Sequence, residues 1–199
     1  MIVNMNSTPP FNDFVKKLEA DQQCAAILFK FKQTYAININ LLLFLLWFSA
    51  SQHGRISKKE IGTLSLTVGH WHERVSLALR RVELKLASNK QLPSIREWIH
   101  NELEYANELE QKFLAEALNL KLRPRSVQQQ LGDACYNLSL YCKHLKLHLN
   151  VKYKECSIYL LQFIFPSIDR ATIVKNCNNA LQSLANTSEL GAQLLFDEL

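Results

Sequence analysis

Two asparagines at the start of the most apolar segment are the first candidates for chemistry. Asn38 and Asn40 lead directly into the run Leu41–Phe48, and an asparagine amide both donates and accepts hydrogen bonds. One of them is expected to cap the helix that begins there. The two amides could also line a small polar pocket in a protein that binds a small molecule or acts as an enzyme. The candidate ligand-binding residues are then Asn38, Asn40, Trp47, Trp71, Arg74 and Arg81.

Recognised catalytic patterns are absent from the sequence. It contains no glycine-rich phosphate loop and no Gly-x-Ser-x-Gly nucleophile motif. His144 and His148 have the spacing that zinc-binding helices use, but Lys143 and Lys146 place positive charge beside them. No catalytic residue, metal ligand or cofactor is therefore predicted. One run of glutamates is interpreted as a solvated helix face: Glu102, Glu104, Glu108 and Glu110.

A basic stretch between residues 121 and 154 suggests a second kind of function. It contains seven lysines and arginines, opposed only by Asp133. Such a stretch can contact the phosphate backbone of a nucleic acid, and Lys143, Lys146 and Lys152 are the candidate contacts. The alternative is a solvated face that acidic residues near the C-terminus partly neutralise. The modest formal net charge of +5 favours this alternative.

The periodicity of apolar residues predicts an all-α protein, a multi-helix bundle of eight or nine helices. Apolar positions recur every three to four residues almost throughout, and only 5 Gly and 5 Pro interrupt them. The first predicted helix spans Phe11–Leu18, Asp21 caps the second, and the third spans Leu41–Ser51. Capping-box patterns at Ser57 and Ser94, each followed by glutamate three residues later, predict two further helix starts.

Two long amphipathic segments are expected to form an antiparallel hairpin. The first has apolar positions from Trp71 to Leu86, and the second has them from Ile95 to Ala117. A turn near Gln91 would bring the basic side of the first against the acidic side of the second, with Arg74 level with Glu108. We interpret these charges as setting the register of the two helices.

The helix predicted from Ser126 to about residue 149 is apolar on two sides. Such a helix either lies at the centre of the fold or docks on another molecule. We divide the chain into a flexible arm (1–10), a helical domain (11–122) and a helical extension packed on it (123–199). The two-sided helix and the lack of a catalytic pattern favour a non-enzymatic protein that binds another protein, whether a second copy or a different chain.

Cysteine usage and the N-terminus indicate a cytoplasmic protein. Five cysteines cannot all pair, and none has the Cys-x-x-Cys spacing, so a reducing compartment is expected. The first residues lack the basic and apolar regions of a signal peptide. The apolar run Leu41–Phe48 is also too short to span a membrane, which takes about 20 residues. It is better explained as a helix buried on all sides.

Three segments carry a resemblance to a known family. They are Asn38–Trp47 (Asn-Ile-Asn-Leu-Leu-Leu-Phe-Leu-Leu-Trp), His70–Val75 and Leu79–Arg81. Together they resemble a family of uncharacterised proteobacterial proteins, a domain of unknown function, over residues 11–120. Asn38 stands where that family often carries aspartate. The resemblance implies a bacterial, cytoplasmic, helical protein and supplies no substrate.

Overall fold

The computed structural model describes residues 9–87, 92–147 and 151–181, and these residues are mostly helical. The all-α prediction is confirmed. A π-helical turn, His72–Ser76, joins α4 directly to α5, and residues 170–181 are also helical. The predicted last helix (188–199), His148 and most of the predicted arm lie outside the described residues. The helices are α1 Phe11–Ala20, α2 Gln22–Tyr35, α3 Ile39–Ala50, α4 Lys58–Trp71, α5 Leu77–Ala87, α6 Pro93–Glu116, α7 Val127–His144 and α8 Val151–Ile164.

Helix α3 forms the centre of the molecule. Every side chain from Leu41 to Phe48 is buried, which confirms the prediction of a helix enclosed on all sides. Helix α7 packs along α3, and most of its residues from Gln130 to Cys142 are buried. The two-sided character of α7 therefore reflects a central position rather than a docking surface. A single hydrophobic core includes residues from both halves of the chain.

Asn137 of α7 ties α3 to the loop that follows it. Its side-chain oxygen accepts from the backbone N–H of Ile56 at 2.9 Å, and its amide nitrogen donates to Ser49 Oγ at 2.8 Å and to Gly54 O at 3.2 Å. Gly54 has a φ of +93°, a conformation that glycine adopts without steric cost. This one buried side chain thus fixes the exit of the chain from α3.

Asp133, one turn before Asn137, is a buried carboxylate that forms ion pairs with two partly exposed arginines. Its carboxylate lies 2.8 Å from Arg55 Nε and 3.1 Å from Arg125 Nε. The guanidinium of Arg55 also lies over the ring of Tyr136, 4.8 Å from its centroid. Asp133, the acidic residue within the basic stretch, thus holds α7 against its neighbouring loops.

The helix starts test the capping predictions. Asp21 accepts from the backbone of Cys24, and Ser57 forms the predicted capping box with Glu60. The capping box predicted at Ser94 is wrong, since α6 begins at Pro93 without a side-chain cap. Proline suits that position because its missing N–H would have had no partner in the first turn.

The α5–α6 hairpin has the predicted antiparallel register but not the predicted ion pair. Glu83 Oε1 lies 2.8 Å from His100 Nδ1, in agreement with the predicted register, and the predicted turn itself lies outside the described residues. Glu108 lies 3.8 Å from Lys16 of α1 instead of pairing with Arg74. No residue of α5 is buried. This indicates that a neighbouring helix covers α5 on one side only.

Within the described residues, no helix combines the length and the apolar character needed to cross a membrane.

Candidate functional site

Glu110 of α6 is a fully buried carboxylate. Its exposed fraction is 0%, so the interpretation of the glutamate run as a solvated face is wrong at this position. The reason is helical spacing: Glu110 follows Leu103 by seven residues and Ala106 by four, on the stripe that faces the core. Leu114 continues the same stripe. A glutamate in register with buried apolar residues was the signal that sequence reasoning missed.

Three side chains donate hydrogen bonds to Glu110. Asn38 Nδ2 lies 2.5 Å from Oε1, while Ser76 Oγ and His72 Nδ1 lie 3.3 Å and 3.4 Å from Oε2. A carboxylate can only accept, so the contact with His72 requires the hydrogen on Nδ1. Asn38 also caps α3, because its side-chain oxygen accepts from Leu41 N at 3.0 Å. The predicted cap at this helix start is therefore Asn38, and the same amide serves the buried acid.

The π-helical turn delivers two of these donors. His72 begins the turn and Ser76 ends it, and both reach the same oxygen of Glu110. Single π-helical turns within α-helices are frequently found at functional sites. Trp71, just before the turn, anchors it to α6 by donating from Nε1 to Ala106 O at 3.0 Å. Trp71 thus acts here as a packing and hydrogen-bonding residue between α4 and α6.

A cavity of about 200 Å³ lies beside this cluster. Asn38 and His72 belong both to the cavity wall and to the set of Glu110 donors. Apolar side chains of α2 and α3 complete the wall, including Leu28 and Ile39. The polar side chains that line the cavity are Glu19, Lys32, Asn38, Asn40, His72 and Asn107.

Two charged residues of the wall are each shifted toward their neutral forms. Burial, reinforced by repulsion from Arg80, lowers the pKa of Lys32, against the opposing attraction of Glu110 and other acids. Burial, reinforced by Glu104, raises the pKa of Glu19. Desolvation is therefore the largest cause of both pKa shifts, although Glu19 still reaches solvent and Lys32 is half-buried.

Asn40 is fixed by a second side-chain contact. Its Oδ1 accepts from Gln111 Nε2 at 3.2 Å. The backbone of Asn38 is fixed too, since its carbonyl accepts from the Tyr141 hydroxyl at 3.5 Å. Both amides predicted as candidate ligand contacts are thus held in place before any ligand arrives.

The other predicted ligand-binding residues lie elsewhere. Trp47 sits near the opposite end of α3, where its Nε1 donates to Pro9 O at 2.9 Å and its ring packs on Phe11. Arg74 and Arg81 are exposed. The structure brings together Asn38 and Asn40 with residues that the sequence did not nominate: Glu19, Lys32, His72 and Glu110.

The candidate nucleic-acid contacts are solvent-exposed. Lys143, Lys146 and Lys152 flank the connection between α7 and α8, whereas Arg125 of the same basic stretch is engaged by Asp133. In the part of the chain that the structure describes, no group of three or more His, Cys, Asp or Glu side chains is arranged to hold a metal ion.

Comparison with known protein families identifies a match that covers more than half of the chain. Residues 11–120 fit the model of a family described as "Protein of unknown function (DUF2390)". This segment contains Glu110 and every side chain named above in the cavity wall. No curated protein and no solved structure matches the chain.

Proposed function

We propose that this chain, which belongs to the DUF2390 family of proteins of unknown function, binds a small polar molecule in the cavity beside Glu110. One observation carries the proposal: a fully buried carboxylate fixes two side chains, Asn38 and His72, that line the same cavity. Convergent, pre-positioned polar groups in a concave site are the usual mark of ligand binding.

The buried carboxylate supports a binding role because its burial lowers the stability of the fold. Taking a carboxylate out of water is unfavourable unless hydrogen bonds replace its hydration, and an apolar residue would fill the same position of α6 more cheaply. In our proposal an ionised Glu110, whose Oε2 lies 3.4 Å from His72 Nδ1, selects the tautomer of His72 that carries its hydrogen on Nδ1. That tautomer leaves Nε2 as a hydrogen-bond acceptor for a ligand.

The size and polarity of the cavity define the class of ligand. Its volume of about 200 Å³ corresponds to roughly six or seven water molecules at about 30 Å³ each. Lys32 and the amide of Asn107 supply donors, while His72 and Glu19 supply acceptors. The best-fitting ligand is a compact molecule with both donors and acceptors, of the size of an amino acid or a small hydroxy acid.

A paired histidine experiment tests the proposal. The wild-type protein is screened by thermal shift against amino acids, hydroxy acids and small sugars, and the affinity of a hit is measured by calorimetry. His72→Asn is expected to weaken that affinity about tenfold, the equivalent of one good hydrogen bond. His70→Asn is the matched control, because His70 is exposed and only two residues away. The absence of any hit, or equal affinity in both variants, would refute the proposal.

Exposed apolar side chains favour a second candidate function, self-association through the α5–α6 hairpin. Leu84 of α5 is 58% exposed, and Ile95, Trp98 and Tyr105 of α6 are 46%, 59% and 57% exposed. Their spacing on α6, three and seven residues, forms one stripe. Exposed apolar stripes of this kind mark interaction surfaces.

Charge complementarity supports a second copy as the partner. The exposed charges of the segment 72–87 are mainly basic, including Arg74 and Arg81, while those of α6 are mainly acidic, including Glu97 and Glu104. In a two-fold pair the same patch meets itself, so the basic helix of one copy lies opposite the acidic helix of the other.

Light scattering after size-exclusion chromatography tests this second proposal. The wild-type chain is expected to elute as a dimer and Trp98→Glu as a monomer. Leu66→Glu serves as control, since Leu66 is 74% exposed but lies on α4, outside the stripe. A monomeric wild type at high concentration would contradict self-association and leave the cavity proposal untouched.

A further inference from the structure

A second cavity, of about 400 Å³, lies near the opposite end of α3 from the cavity beside Glu110. Its wall combines residues of α1 and the end of α3 with residues from the start of α7 and the end of α8. It therefore lies between the part of the chain that matches the family (11–120) and the part that follows. Ligand sites form preferentially at such junctions.

The wall of this cavity is rich in apolar side chains. Phe14 and Leu18 come from α1, Val127 comes from α7, and Phe163 and Phe165 come from the last turn of α8 and the residue that follows it. Phe14, Leu18 and Phe165 are buried, whereas Val127 is 43% exposed at the mouth. A ligand that enters would bury an apolar portion against this wall.

The charged side chains of the wall are both basic. Lys17 and Arg125 line the cavity, and no aspartate or glutamate is among the described residues around it. Arg125 is only partly neutralised, because it shares the carboxylate of Asp133 with Arg55. The Lys17 ammonium lies 5.9 Å from the centroid of the Phe163 ring, so the cation stands directly beside the apolar surface. The start of α7 adds a positive dipole end at Ser126.

We propose that this cavity binds an amphipathic monoanion, a medium-chain aliphatic carboxylic acid. The alkyl chain packs against the phenylalanines, and the carboxylate lies between Lys17 and Arg125. This site shares no lining residue with the cavity beside Glu110, so the two proposals stand or fall separately.

Calorimetric titration of the full chain with butanoate, hexanoate and octanoate tests the proposal. Each added methylene group is expected to lower the dissociation constant about fourfold, the value for burial of one CH₂. Octanol, which has the same chain but no charge, is expected to bind about tenfold more weakly than octanoate. No binding of octanoate, or equal affinity for octanol, would overturn the proposal.

Two pairs of variants locate the binding. Lys17→Gln is expected to weaken octanoate about tenfold and leave octanol unchanged, whereas the adjacent Lys16→Gln leaves both unchanged because Lys16 is not part of the wall. Val127→Glu places an acid at the mouth and is expected to abolish octanoate binding. Gln128→Glu, exposed and outside the wall, controls for added charge. Octanoate binding that survives Val127→Glu would show a different site and refute the assignment.

Discussion

Two buried carboxylates, Asp133 of α7 and Glu110 of α6, are held in contrasting ways. Asp133 is paired with two arginines, and the side chains of Arg55 and Arg125 are 58% and 29% exposed. Its charge is therefore neutralised within the fold, by groups that also reach solvent. In the part of the chain that the structure describes, Glu110 accepts hydrogen bonds from Asn38, Ser76 and His72, and none of these is an arginine or a lysine.

The contrast separates a structural junction from a candidate binding site. The ion pair of Asp133 joins α7 to two loops, next to the Asn137 contacts that fix the end of α3. The donors of Glu110 instead include two residues of a cavity wall. If our proposal is right, the Glu110 network positions side chains for a ligand, whereas the ion pair of Asp133 is explained by the packing of its segments alone.

The largest expected loss of stability comes from a substitution at the junction between α7 and the loop that follows α3. Asn137→Ala leaves the buried N–H of Ile56 and the carbonyl of Gly54 without their partner and creates a small cavity. We expect the free energy of unfolding to fall by about 3 kcal/mol. Urea denaturation followed by circular dichroism measures the loss. Asn101→Ala, at an exposed position of α6, is expected to change stability by less than about 0.5 kcal/mol.

Asp133→Asn is expected to destabilise by about 2 kcal/mol, less than Asn137→Ala. The amide keeps the shape of the side chain, and the arginines, being partly exposed, recover hydration. The same denaturation assay measures it. A loss as small as that of an exposed control would show that Asp133 does not hold the junction.

Glu110→Gln tests whether the second buried carboxylate serves ligand binding rather than stability. The amide can still accept from Asn38 but presents N–H groups to His72 and Ser76, so the geometry survives at a cost of about 1 kcal/mol. Affinity for the small polar ligand is expected to fall about tenfold because His72 changes tautomer. Unchanged affinity together with a large loss of stability would place Glu110 in the same structural class as Asp133.

The pH dependence of stability reports on Lys32. Its pKa is lowered in the folded state from the ordinary value of 10.5, chiefly by burial. Between the folded and unfolded pKa values the unfolded chain binds more protons, so stability rises with pH across that window and the penalty persists below it. Lys32→Met is expected to flatten this rise, and Lys59→Met, at an exposed position of α4, to preserve it. Denaturation midpoints measured from neutral pH upward would contradict the account if both variants behaved alike.

The smallest effect concerns the cysteines. Burial raises the pKa of Cys24 and Cys142 to about 12 and that of Cys177 to about 11, and it raises the pKa of Cys135 as well. Thiols react as thiolates, so native protein treated with iodoacetamide near neutral pH is expected to gain one adduct, at the partly exposed Cys156. Mass spectrometry counts the adducts, and rapid labelling of a second cysteine would show that the core admits reagent.

The sequence predicted most of the fold because the fold rests on local rules. Apolar spacing located the buried faces of α1 and α2, and capping chemistry located the start of α4 at Ser57. The prediction at Ser94 was wrong because a proline at Pro93 already starts the helix. Patterns of a few residues are thus sufficient to predict the buried face and the ends of a helix where neighbouring residues along the chain determine them.

The candidate site was less accessible to sequence reasoning because it depends on contacts between distant segments. Asn38 and Asn40 stood out by their position before an apolar run, but their partners Glu110 and Gln111 lie 72 and 71 residues away along the chain. His72 contacts Glu110 from a π-helical turn. No local sequence pattern predicted that turn. A carboxylate on a buried stripe was the available signal, and it was hidden by the neighbouring exposed glutamates.

The most direct test of the account is the tautomer of His72, read from the ¹⁵N chemical shifts of its imidazole ring at mildly alkaline pH. We expect a protonated Nδ1 and an unprotonated Nε2 in the wild-type protein, and the reverse in Glu110→Gln. A wild-type ring with its hydrogen on Nε2, or one insensitive to Glu110→Gln, would contradict the claim that the buried acid prepares this cavity for a ligand.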